Sequence, residues 1–92
     1  MAKGDISWKR RTEAGDRLEI YARQSGEHWT FYVRGGRNQQ WQILTEPPLE
    51  DWLELLDAVQ RRIERQFMKE EAAYKLSKLI QERFPKKPDN TI

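Results

Sequence analysis

Between Ile6 and Leu44 apolar and polar residues alternate, and from Leu49 to Phe84 the spacing changes to three and four. One parity of the first half holds Ile6, Trp8, Leu18, Ile20, Ala22, Trp29, Phe31, Val33, Trp41 and Ile43. The other holds Ser7, Lys9 and Arg11, then Arg17, Glu19, Tyr21 and Arg23, then His28, Thr30, Tyr32 and Arg34, then Gln40 and Gln42. A period of two predicts strands at 6–12, 17–24, 28–34 and 39–44. Gly15, Ser25–Gly26 and Gly35–Gly36 separate the runs and supply tight turns, so consecutive strands form an antiparallel meander. Strict alternation means that one face is covered, since a strand buried on both faces reads as continuous apolar sequence.

The segment TEPPLEDWLELLDAVQRRIERQF, Thr45 to Phe67, opens with Thr45 as a candidate N-cap, two prolines, and Glu46, Glu50 and Asp51 near the positive end of the helix dipole. Leu49, Trp52, Leu53, Leu56, Val59, Ile63 and Phe67 then recur as an apolar stripe, which predicts a long helix laid across the covered face of the sheet. The stripe changes phase at Met68–Glu71, and Ala73, Leu76, Ile80 and Phe84 begin a second one. Two helices, 48–67 and 70–84, are therefore expected, the alternative being one helix whose apolar face rotates. Pro85 stops the second, and 85–92 reads as a flexible tail. The whole is expected to be one α+β domain over residues 1–84, of order β-β-β-β-α-α.

Ninety-two residues support one modest core, and four tryptophans with 37% hydrophobic residues are enough to collapse it despite 35% charged residues. No run approaches the ~20 apolar residues of a membrane span, no apolar leader follows Lys3, and there is no cysteine. A cytoplasmic chain without a membrane role is the expectation. The net charge of +2 is uneven: residues 1–45 carry +3 and residues 46–84 carry −2. The basic excess lies in the strands.

No cysteine and a single histidine leave neither a thiolate nor a multi-histidine metal site. His28 alternates on a strand, and the carboxylates Asp16, Glu19 and Glu27 are scattered, so no catalytic pair is expected and neither is a cofactor or a small-molecule substrate. Gly35–Gly36 lacks phosphate-loop spacing. The open sheet face is richer. It sets Tyr21 and Tyr32 among Lys9, Arg11, Arg17, Arg23 and Arg34 with Glu19 as its acid. Cations hold phosphates, flat rings stack on bases, and the amides of Gln40 and Gln42 reach base edges. The same residue types also suit any solvated sheet face. On the first helix Arg61, Arg62, Arg65 and Lys69 alternate with Asp57 and Glu64 as ordinary surface ion pairing does.

The stretch GGRNQQWQILTEPPLEDWLELLDAV, Gly35 to Val59, sets a glycine and basic turn before a strand ending Ile-Leu, then proline, acids and a tryptophan at the head of a helix. With the four strands before it, this pattern resembles the transcriptional coactivators of the positive-cofactor-four type, and more distantly the PUR-alpha and Whirly single-strand binders. The resemblance covers residues 5–66. It implies dimerisation through the helices and single-stranded DNA or RNA on the sheet face, with Lys9, Arg11, Tyr21, Arg23, Tyr32 and Arg34 as the contacting residues. The family's glycine-isoleucine pair in strand four is absent here, its lysines are fewer, Pro47–Pro48 lengthens the approach to the helix, and the second helix has no counterpart. The reading is a small non-catalytic, homodimeric binder of single-stranded nucleic acid. Its rival is a protein-interaction or homodimerisation module that uses Leu55, Tyr74 and the second helix.

Overall fold

The computed structural model describes residues 4–85, so the expected tail lies, but for Pro85, outside the described residues. The element order is β1 (Ile6–Arg11), β2 (Arg17–Ser25), β3 (His28–Arg34), β4 (Gln42–Leu44), α1 (Leu49–Glu64) and α2 (Glu70–Arg83). The class is α+β, as the two periodicities predict. The chain forms two compact units, Met1–Pro47 and Pro48–Ile92.

The first unit is an antiparallel sheet in the order β1-β2-β3-β4. Ile6 stands opposite Ala22, Trp8 opposite Ile20, Ala22 opposite Phe31 and Phe31 opposite Leu44, which gathers these side chains on one face. Ile6, Ile20, Ala22 and Phe31 are buried there, and the Trp8 ring meets Phe31 edge-on at 5.9 Å. An aromatic pair of that kind adds about 0.5–1.5 kcal/mol beyond the burial itself.

The β1–β2 turn is closed by Thr12, whose backbone N–H donates to the Asp16 carbonyl and whose hydroxyl accepts from the Asp16 N–H. The β2–β3 turn is one residue later than expected. Ser25 pairs with His28, leaving Gly26 and Glu27 as the loop, and Gly26 carries φ of 63° while Glu27 stays at negative φ. Glycine at the first of two loop positions is what a type II′ hairpin requires.

The fourth strand departs most from the sequence pattern. It begins at Gln42 and not near residue 39, because Gly35 to Gln39 close a loop of their own. The Gln39 N–H donates to the Gly36 carbonyl, and the Gln39 side-chain oxygen accepts from the Gly35 N–H at 3.0 Å. A Cβ on residue 35 would stand 2.7 Å from that oxygen, so any side chain there would push the Gln39 amide aside and loosen this hydrogen bond. The loop also resets the parity. Val33 pairs with Gln42 and Tyr32 with Ile43, so Ile43 joins the tyrosine face, against expectation, and Leu44 takes the place beside Phe31. A one-residue slip moves every side chain of a strand to the other face.

The second unit is a pair of helices that pack on each other. α1 starts at Leu49 with Pro48 as its N-cap, so Thr45 is not the cap. The extended backbone of Pro48 presents its carbonyl to the N–H groups of Asp51 and Trp52, and Glu50 and Asp51 occupy the first turn. The buried residues of α1 are Asp51, Trp52, Leu55 and Val59, of which Trp52 and Val59 belong to the expected stripe and Leu55 does not. Leu53, expected inside, is 49% exposed, whereas Leu55 is fully buried at 0%. The expected stripe was broad, and helical spacing alone does not tell that its buried middle runs through Leu55 and leaves Leu53 outside.

The break between the helices falls at Gln66, at φ 65°, without glycine or proline. Its N–H donates to the Ile63 carbonyl and the Phe67 N–H to the Arg62 carbonyl. This is a Schellman close, normally built on glycine. From α2, Leu76 and Ile80 are buried, and the Arg83 guanidinium lies 5.1 Å from the Trp52 ring, joining the last turn of α2 to the first turn of α1. Among the described residues no helix is long and apolar enough to cross a membrane.

Candidate nucleic-acid interface

The second face of the sheet is organised in rows across the strands. The row at the end where β1 finishes and β2 begins sets Arg11 directly opposite Arg17. The next runs Lys9, Glu19, Arg34, and the one after it Ser7, Tyr21, Tyr32, Ile43. Arg23 pairs with Thr30 in the row after that, and Ser25 with His28 in the last. All six residues expected to contact nucleic acid therefore share this face. Their environments differ sharply.

Tyr21 is only 7% exposed. Its ring stacks on Tyr32 at 4.5 Å between centroids, 12° from parallel, and meets Trp41 at 4.7 Å and 89°. It is the centre of a small aromatic cluster and offers no ring to a base. Tyr32 and Trp41 are half-buried. Trp41, expected on the other face, is brought here by the same reset of β4 that moves Ile43.

Arg23 and Arg34 are anchored. Arg23 donates Nε–H and Nη2–H to the two oxygens of Asp5, at 3.2 and 2.9 Å, with the Asp5 side chain 4% exposed. The Asp5 carboxylate, by hydrogen bonding first and by its charge second, holds the Arg23 pKa above the usual arginine value. The guanidinium also lies 5.5 Å from the Tyr21 centroid and 5.9 Å from that of Tyr32. Arg34 donates Nε–H to Glu19 Oε1 at 2.9 Å, with Nη2 also 2.9 Å from that oxygen, and covers the Trp41 ring at 4.4 Å. Both arginines hold the aromatic cluster in place by charge-assisted hydrogen bonds and cation–π contact. Neither brings an uncompensated charge.

Lys9 and Arg11 stand otherwise. With Arg17 and Arg37, and with Arg10 and Leu18 from the opposite parity, they line a cleft of about 540 Å³ at the Arg11–Arg17 end, to which Gly35 and Gly36 also belong. Arg11 donates through Nη1 to the Gly15 carbonyl. Lys9, Arg17 and Arg37 have no acidic partner among the described residues, and the one acid in the lining, Glu19, is held by Arg34. Like charges directly opposed on two strands destabilise the pair, so Arg11 and Arg17 stand at a cost that an anion between them would relieve. A second hollow of about 250 Å³ shares Lys9 and Glu19 with the cleft and reaches Trp41. Cations and a flat ring thus border neighbouring hollows.

Arg17 belonged to the sequence-predicted open face but not to the predicted contacts, and Arg37 and Trp41 were outside both. Cross-strand register would have found Arg17 opposite Arg11, and it would also have placed Asp5 beside Arg23. No sequence signal marks Arg37, which a loop carries to the cleft. His28 is exposed at the far end of β3, and no group of three or more His, Cys, Asp or Glu able to hold a metal occurs among the described residues. No protein-family model matches the chain, and no curated protein or solved structure matches it either.

Proposed function

We propose that this chain is a small non-catalytic binding domain for single-stranded nucleic acid, acting through the second face of its sheet. The observation that carries the reading is the convergence of Lys9, Arg11, Arg17 and Arg37 on one cleft, continued past Lys9 towards Trp41. The cations take phosphates, and Trp41 and Tyr32 offer stacking surface, worth about 1–3 kcal/mol per base and tolerant of any base. Tyr21, Arg23 and Arg34 hold the rings and carry no phosphate.

Titration of a short random single strand, as DNA and as RNA, at several salt concentrations tests the reading. Four neutralised phosphates give a log–log slope of affinity on salt of about −3. The combined change Lys9→Ala, Arg17→Ala and Arg37→Ala flattens that slope. A wild-type affinity independent of salt would sink the proposal.

Homodimerisation is supported by the helical unit, where Leu49, Leu53 and Tyr74 are exposed. Leu55, on which the protein-interaction reading leaned, is buried and takes no part. Light scattering with Leu49→Ser and Leu53→Ser, expected to shift a dimer to monomer, tests this independently of the sheet.

A further inference from the structure

We infer that the cleft lined by Lys9, Arg11, Arg17 and Arg37 receives a terminal phosphate of the bound strand, a phosphomonoester dianion, and not an internal phosphodiester. The inference rests on the single-strand reading above and adds to it where the strand ends.

The distribution of charge is the first argument. A strand drawn across a sheet presents one charge per phosphate and calls for cations spaced along its path. On this face the cations along the path, Arg23 and Arg34, are already neutralised by Asp5 and Glu19. The uncompensated ones gather around a single hollow. A terminal phosphate carries about −1.5 to −2 at neutral pH and presents three strong acceptor oxygens, which an internal diester does not. The facing pair Arg11 and Arg17 supplies planar donor forks suited to it, and Lys9 and Arg37 in the same lining add further positive charge.

Size is the second argument. A hollow of about 540 Å³ is far larger than a bare anion needs and falls within the ~300–1,000 Å³ typical of sites for small organic ligands, so a whole terminal nucleotide fits. The neighbouring hollow towards Trp41 then receives the following base. Gly35 and Gly36 are part of the lining and add no side chains of their own to it.

One sequence of single strand is titrated in three forms: with a 5′-phosphate, with a 3′-phosphate, and with hydroxyls at both ends. Inorganic pyrophosphate is titrated alongside. One phosphorylated form is expected to bind about tenfold more tightly than the hydroxyl form, a difference of about 1.4 kcal/mol. In an Arg17→Ala, Arg37→Ala variant, whose fold is checked by circular dichroism, the ratio falls to one. The preference also shrinks below about pH 6, where the monoester loses its second charge. Equal binding of all three strands by the wild type overturns the inference and leaves the single-strand reading standing. Binding of pyrophosphate with no binding of any strand overturns both, and makes the cleft a site for small polyphosphates.

Discussion

Tyr21 on β2 and Tyr32 on β3 are direct cross-strand partners whose rings stack at 4.5 Å, yet Tyr21 is buried and Tyr32 half-exposed. Two tyrosines of equal rank in the sequence thus have different work. Tyr21→Ala is expected to lower stability by about 3 kcal/mol in urea denaturation, and Tyr21→Phe to leave it almost unchanged. Tyr32→Ala should cost less stability and weaken single-strand binding by about 1–3 kcal/mol. Equal losses of stability at the two positions would contradict the division.

Glu19 is the one acid lining the cleft, and its charge opposes an incoming anion even while it holds Arg34. Glu19→Gln is expected to raise oligonucleotide affinity about fivefold at low salt, the gain fading as ionic strength rises. Lys9→Ala, on the directly opposed position of β1, should do the reverse. A filter-binding series over salt reads both.

In α1 the phase of the buried stripe separates two leucines two residues apart. Leu55→Ala, at a fully buried site, should cost about 2–5 kcal/mol, and Leu53→Ala, half-exposed, under about 1 kcal/mol. Urea midpoints of the two variants give the comparison directly.

Gln66 holds the left-handed position that closes α1, and a side chain there costs about 1 kcal/mol relative to glycine. Gln66→Gly is expected to recover about that amount of stability. Lys69, the N-cap of α2, makes no side-chain cap hydrogen bond and places a positive charge at the positive end of the helix dipole. Lys69→Asp is expected to add about 1 kcal/mol, read in the same denaturation experiment.

Much of the fold was legible because two periods, two and three-to-four, occupy separate halves of the chain. The four strands, their antiparallel order and the pair of helices follow from that alone. Three features did not. The Gly35–Gln39 loop takes three residues from the start of β4 and reverses its parity, through a side-chain hydrogen bond from Gln39 that no apolar pattern encodes. The phase change announces a break between the helices, but not that α1 closes as early as Gln66, where backbone hydrogen bonds make the stop on a residue with no turn signature. The broad stripe of α1 took in Trp52 and Val59, but its spacing does not mark Leu55 as buried or Leu53 as exposed. At the site, alternation placed the six expected residues on the right face, but burial and ion pairing, which depend on register and on Asp5, separated them into those that hold the cluster and those that remain uncompensated.

The strand order leaves β1 and β4 as the margins of an open sheet. Outward backbone groups on such margins are templates for joining a neighbouring molecule. β4 spans only three residues, too few to recruit a partner strand firmly, and β1 carries Lys9, Arg10 and Arg11 in succession, so two copies brought edge to edge repel. The same run of charge that lines the cleft thereby opposes edge-to-edge joining of copies, and neutral replacements at Lys9, Arg10 and Arg11 are expected to lower solubility.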